Sequence, residues 1–399
     1  MDVIGTQLTS CSADTSNMLK NARGQRNRCF DIAKGIGIIL VVCGHARAPF
    51  QGFLSLFHMA LFFMISGFLY NDTQSKDFQS VVEYTKRKIK SLWVPYFFWN
   101  TVFVLLNNIF IKIGVYCVDP SFLELATGER NELAIYFGLK DYIVAIIKGC
   151  LMLDTAQMGG TLWFLRSLLI ISVGHNLAKY FIKNKKYKNV IMGVIIVATV
   201  ILAMLMGSIN SLVLNWESNR LLTIIIKAGR QLFAPYLVYL TGMLLKRVSI
   251  NTFIQNRRGV CCIISFIMLV FMSKIGRVDL SMGIITNIFF FMLVSILGWL
   301  FVMSIGYSIV GENVLSKGLE YMGKHTMCII ALHLISFKLV SAFYLLITNS
   351  DFMLLASFPV LDKTNRILWV FYSLVGVFLP LLLDMFYRKC KKRYGMKKV

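Results

Sequence analysis

The sequence predicts an all-α protein, a polytopic membrane helix bundle of about ten transmembrane helices with the N-terminus and the C-terminus both cytoplasmic. Three observations predict it. Of 399 residues, 57% are hydrophobic and 15% charged, and the mean hydropathy is +0.68, too apolar a balance for a soluble domain. Residues 280–311, 190–206 and 367–383 carry no charged side chain, and each run approaches or exceeds the roughly 20 helical residues that cross a hydrocarbon core. Lastly, the basic residues gather between the apolar runs and mostly on alternate flanks: 27 of the 42 Lys and Arg fall on one set, 10 on the other and 5 within spans. That asymmetry marks the richer set as cytoplasmic, so the formal charge of +23 speaks of orientation in a membrane and not of a nucleic-acid partner.

The spans follow in order from the charged punctuation. The first, 31–49, begins after Arg23, Arg26 and Arg28, and 53–70 ends before Asp72. The third, 91–115, follows the basic run Lys86 to Lys90, and 161–182 ends in Lys179 and Lys183. Next come 189–208, then 222–245 between Arg220 and Lys246, and 258–275 between Arg257 and Arg277. The last three are 281–307, 325–348 after Lys324, and 367–387 before Arg388. An apolar stretch at 141–153 is too short to span and is expected along the outer interface or as a re-entrant piece.

Residues 1–28 are polar, with no cleavable signal pattern, and are expected to be a disordered cytoplasmic tail. Residues 29–390 then form the transmembrane domain and 391–399 a basic cytoplasmic tail, with the longest external segment at about 116–160. Nine cysteines are scattered without CxxC or metal-ligand spacing, so no metal is expected. Cys117 and Cys150 flank the same external segment, which leaves a disulfide between them open.

The first span holds two residues that lipid disfavours. Lys34 and His45 bracket ten uncharged residues. Eleven steps of 100° put them on one face, separated by roughly 16 Å along the axis. Lys34 is near enough to the inner surface to snorkel. His45 lies about 21 Å beyond Asp31, deep in the hydrocarbon, where an ionisable group is a functional candidate by default. Asp31 stands three residues before Lys34, placed for an i,i+3 pair or for a simple boundary carboxylate.

These residues resemble the integral-membrane acyltransferase-3 family. Lys34 and His45 match its basic-x10-histidine element. FHMALFFMISGFLY at 57–70 looks like its second-helix signature, with further matches in KRKIKSLWVPYFFW at 86–99, LWFL at 162–165 and MGKHTMCIIALH at 322–333. Two positions depart: Ala60 stands where the family usually has proline, and Lys88 and Lys90 where it commonly has an arginine pair. Lysine keeps the charge but loses bidentate phosphate geometry.

The resemblance implies an O-acyltransferase of cell-surface glycans in the inner (cytoplasmic) membrane, with an acyl-CoA such as acetyl-CoA as donor. His45 is the expected base, since a neutral imidazole is available at physiological pH. Lys34, Arg87, Lys88 and Lys90 are expected to hold the donor's phosphates, although residues 86–90 read equally as a positive-inside signal. His58 is a candidate substrate contact or second base, or else an interfacial histidine. Trp163 with Phe164 offers an aromatic platform for a sugar ring and Arg166 a group to orient its hydroxyls, with an interfacial aromatic belt as the alternative. Lys227, Arg230 and Lys338 are expected to point into a polar cavity. His333 lies in the matching segment, and His175 and His325 read as ordinary interior and boundary residues.

The expected partners are the acyl-CoA, a glycan or lipid-linked glycan acceptor and membrane lipids, with a homo-oligomer left open. A lipid-linked sugar flippase or solute transporter using the same buried cations is the competing class. A glycan polymerase is a third, weakened by the modest external segment.

Overall fold

The computed structural model describes residues 28–126, 131–208, 220–361 and 367–393. The terminal segments 1–27 and 394–399, with Lys20, Arg23 and Arg26, lie outside the described residues, as do Arg130, Lys363 and Arg366. The described residues are mostly helical. Helix α1 covers 28–45, α2 Gln51–Ser55, α3 His58–Leu69, α4 Phe78–Lys88, α5 Val94–Leu105, α6 Asn107–Lys112, α7 Ser121–Leu125 and α8 Leu139–Cys150. After a 3-10 turn at Gln157–Leu162 come α9 Trp163–Ile182, α10 Lys188–Ser208, α11 Arg220–Arg247, α12 Ile250–Asn256 and α13 Arg258–Ile275. The chain closes with α14 Ile288–Ile309, α15 Val314–Lys324, α16 Thr326–Thr348, a 3-10 turn at Phe352–Ala356 and α17 Leu368–Arg393.

Among the described residues, seven helical stretches are long and apolar enough to cross a membrane: Gln51–Leu69, Gln157–Ile182, Lys188–Met206, Arg258–Ile275, Ile288–Ile309, Thr326–Thr348 and Leu368–Arg393. The other three expected spans fall on α1, which carries Arg28, Asp31 and Lys34, on α5 with α6, broken at Leu106, and on α11. The seven divide by environment. Gln51–Leu69 is 67% buried within the protein, whereas Lys188–Met206 is 11% and Arg258–Ile275 17%. On α10, Val190, Val194, Val197 and Ile201 are exposed at helical spacing, an apolar stripe suited to lipid.

Close helix packing depends on small residues where backbones meet. A Cβ at Gly67 of α3 would overlap the Tyr239 carbonyl of α11, and one at Gly242 of α11 would overlap the Met64 carbonyl of α3. The same reciprocal fit joins α1 to α15: Gly35 lies on the Leu319 carbonyl and Gly323 on the Asp31 carbonyl. Helix α1 also runs antiparallel to α3, with Gly37 against Leu61 and Phe62 and the Phe30 and Phe68 rings 5.0 Å apart.

Two expected boundaries are corrected. The span placed at 281–307 starts at Ile288, because residues 278–285 form an antiparallel hairpin pairing Val278 with Ile285. Asp279 turns it, its carboxylate accepting the Ser281 and Met282 amides at 2.9 and 3.1 Å, and Gly283 takes the left-handed φ of +71°. The helix expected from 91 begins earlier, at Phe78, capped by the Asp77 side chain on the Ser80 amide. It widens into a π turn at Ile89–Trp93 just before Pro95, which has no N–H to bond four residues back.

The stretch at 141–153 is the twelve-residue α8, with Ile143, Val144 and Ile147 exposed. The disulfide left open does not form: Cys117 and Cys150 are both free. Cys117 packs beside Phe122 and Ala356, while Cys150 ends α8 with its carbonyl bonded by Trp93, so the two thiols belong to different packing units.

Candidate active site

His45 is the last residue of α1, and the chain turns sharply after it. The Ala48 amide bonds back to the Cys43 carbonyl at 3.1 Å and the Arg47 amide to Gly44 at 3.3 Å, a Schellman closure. Its left-handed residue is Arg47, with φ +56°, where glycine is usual. The imidazole is thus held at the very end of a helix whose start is tied down 17 residues earlier at Arg28.

Across from His45 lies His333 of α16, with ring centroids 5.3 Å apart and the planes at 39°. His333 is fully buried. Its Nδ1 sits 2.9 Å from the Ile329 carbonyl, and since a carbonyl only accepts, Nδ1 carries the proton and neutral His333 keeps a bare lone pair on Nε2. That Nε2 has no hydrogen-bond partner among the described residues. Phe337 lies edge-on beneath the ring at 5.6 Å. Gly376 of α17 gives Phe337 and Val42 the room to pack there.

At the opposite end of α1, Lys34 Nζ is 2.5 Å from Asp31 Oδ1, both half-buried. Arg28 ties this end to the connection before α15 and to α15 itself, at 2.7 Å from Glu312 and 3.0 Å from Glu320. The Arg28 guanidinium holds the Glu312 carboxyl below its ordinary value, with Lys317 adding to it. Glu320 is likewise held low, by Lys324 first and Arg28 second. Eleven residues of helix separate Lys34 from His45, roughly 16 Å of axial rise.

The basic run divides. Lys88 turns inward, its Nζ 3.4 Å from Ser66 Oγ of α3 and 5.4 Å from the Tyr84 ring, while Arg87 and Lys90 are exposed. Given the antiparallel match of α1 with α3, Ser66 stands near the level of Lys34, so Lys34 and Lys88 share one end of the bundle and His45 occupies the other.

His58 is not brought to His45 by any described contact. Its Nδ1 donates to the Leu54 carbonyl at 2.6 Å, and it lies within electrostatic reach of Asp279 on the hairpin. Trp163 and Phe164 are buried, Phe164 packing at 5.7 and 5.0 Å from Phe62 and Phe63. Arg166 donates to the Met152 carbonyl at 3.2 Å and to Gln231 of α11, bracing α9 against the external segment.

The expectation that the buried cations point into a polar cavity is corrected for Lys338 and Arg230. Lys338 donates to the Leu355 and Ser357 carbonyls at 3.0 and 2.5 Å, where the 3-10 turn presents carbonyls without internal partners. Arg230 Nε bonds the Met206 carbonyl at 2.7 Å and lines, with Leu280 and Gly283, a space of only about 10 Å3. The Lys227 side chain lies outside the described residues.

His175 is an interior residue, its Nδ1 3.0 Å from the Tyr236 hydroxyl, and His325 faces Asp384 at 3.6 Å. The residue underweighted by the sequence is His333. It was visible as the last letter of MGKHTMCIIALH, but nothing in that string says which helix end it meets.

A family model described as an acyltransferase domain matches residues 27–385, nearly the whole chain. No curated protein and no solved structure matches it.

Proposed function

We propose, since the chain belongs to the acyltransferase-3 family and is therefore an acyltransferase, that it moves an acyl group, acetyl in the simplest case, from a cytosolic acyl-CoA to a hydroxyl of a surface polysaccharide or its lipid-linked precursor. The observation that carries this reading is the opposition of His45 and His333. In the reaction His45 takes the proton of the acceptor hydroxyl as its oxygen attacks the thioester carbonyl. The C–S bond breaks and the CoA thiolate leaves with a proton returned from the imidazolium. His333, with its lone pair on Nε2, accepts a hydrogen bond from the imidazolium as it forms and so stabilises the transition state.

Lys34 and Lys88 receive the donor's phosphates at the basic end, with Arg87 and Lys90 adding charge at its rim and Asp31 directing Lys34. The distance along α1 between Lys34 and His45 is then spanned by the donor's pantetheine arm. His58, Trp163 and Arg166 shape the acceptor's surroundings. Ten spans, cytoplasmic termini and an inner-membrane location complete the proposal, resting on the 27 to 10 distribution of basic residues.

The test is nuclear magnetic resonance of glycan from host cells carrying His45→Ala, with membrane insertion checked by fractionation. Loss of O-acetyl signals with normal glycan export is expected. Unchanged acetylation overturns the proposal, and loss of export instead points to transport.

A further inference from the structure

A cavity of about 350 Å3 lies among α5, α8 and residues 131–137, at the end of the bundle remote from Lys34 and Lys88. Its size falls at the lower end of small-molecule sites, which run from about 300 to 1,000 Å3. Its lining residues include Tyr116 and Phe137 together with Glu132, Asp141, Lys148, Asp154 and Gln157. Three acidic residues and one lysine line it, in a chain whose formal charge is +23.

The wall is built rather than loose. Asn100 Oδ1 accepts the Ala156 amide at 2.8 Å, the Tyr116 hydroxyl accepts the Met158 amide at 3.3 Å, and Asp141 accepts the Gly138 amide at 2.9 Å. It is also tied to the helix that carries His333. Gln157 opens the 3-10 turn Gln157–Leu162, and the Thr161 hydroxyl of that turn donates to the Ile330 carbonyl of α16 at 2.8 Å, one helical turn from His333.

We propose that this cavity is the acceptor subsite, and that it takes a neutral or amine-bearing, hydroxyl-rich sugar residue in preference to a carboxylated or phosphorylated one. The inference rests on the transferase reading and adds the acceptor's chemical class. A sugar presents hydroxyls around its edge and apolar C–H faces above and below. Carboxylates and an amide receive and give the edge hydrogen bonds, while aromatic rings cover the faces. An anionic sugar meets like charge and loses its hydration without a partner. The surplus of carboxylates in an otherwise basic protein therefore acts as a filter.

The experiment uses membranes from host cells lacking the chromosomal gene and expressing the full chain, with radiolabelled acetyl-CoA and the host's own extracted envelope glycan as probes. Glu132→Lys and Gln157→Ala are expected to raise the half-saturating glycan concentration at least fivefold, with the half-saturating acetyl-CoA concentration unchanged and the rate recovered at high glycan. The same glycan with its primary hydroxyls oxidised to carboxylates, added as a competitor, is expected to inhibit Glu132→Lys more strongly than the parent protein. Unchanged glycan dependence in both variants, or equal competition, overturns the subsite. Failure of the parent protein to label glycan at all overturns the transferase reading and the subsite with it.

Discussion

His45 ends α1 directly opposite His333 of α16, with ring centroids 5.3 Å apart, although more than two thirds of the chain separates them in sequence. One imidazole sits at a helix end beside a left-handed Arg47. The other is locked by its own helix into a single tautomer.

Removing either histidine should therefore affect rate in different ways. His45→Ala is expected to lower turnover by about 10²–10⁴-fold, the usual contribution of a positioned base. His333→Asn should lower it by about tenfold and shift the acid limb of the pH–rate profile while leaving the half-saturating acyl-CoA concentration unchanged. A turnover loss in His333→Asn with an unshifted profile would show a packing role only.

At the basic end, the inward Lys88 and the exposed Lys90 should separate. Lys88→Ala is expected to raise the half-saturating acyl-CoA concentration by about tenfold, the effect of losing about 1.4 kcal/mol from a partly buried charged contact. Lys90→Ala should change it less than threefold, because an exposed cation is screened. Equal effects in a steady-state assay would refute the division.

Lys34→Arg should keep more activity than Lys34→Ala, since the charge and the Asp31 pair survive. Asp31→Asn is expected to weaken donor binding by freeing the lysine from its direction. Measured acyl-CoA dependence in the three variants checks the order.

The reciprocal glycine contacts predict stability rather than chemistry. Gly323→Ala would drive a Cβ into the Asp31 carbonyl, and overpacking of this kind costs about 1–3 kcal/mol. A lower midpoint of thermal aggregation in detergent is expected, whereas Gly318→Ala, with open space around it, should not lower the midpoint, alanine being the better helix former.

The Arg28 and Glu312 pair predicts an acid limit. Because Glu312 is held below its ordinary value of 4.5, its contribution is present above that pH and is lost as pH falls through the lowered folded-state value. Arg28→Gln should remove this part of the acid dependence. Thermal melts from pH 6 down to about 3 check it, with parallel curves for the two proteins counting against the pair.

Hydropathy and charge punctuation were enough to locate the seven helical stretches long and apolar enough to cross a membrane, one of them with a corrected start, because each residue's preference for lipid or water is its own property. The apolar stripe on α10 and the little-buried α13 face outward and read most plainly for that reason. The hairpin at 278–285 escaped because its residues after Asp279 are as uncharged as the helix that follows. Its turn depends on one Asp279 carboxylate and a left-handed Gly283. Similarly, the charged residues of the first span and the matching motifs were legible as letters.

What the sequence by itself determined is thus the membrane class, the helical architecture, the family and the oddity of a lysine and a histidine on one face of α1. Only the tertiary structure decided which imidazole meets His45, that Lys338 is engaged by carbonyls, that Lys88 turns inward while Lys90 does not, and that acidic residues gather round a cavity beside the 3-10 turn bonded to α16. The physical reason is that burial in lipid is set residue by residue, whereas these pairings depend on how closely two backbones can approach. Gly35 on Leu319 and Gly323 on Asp31 set that approach for α1, and with it the place where His45 ends.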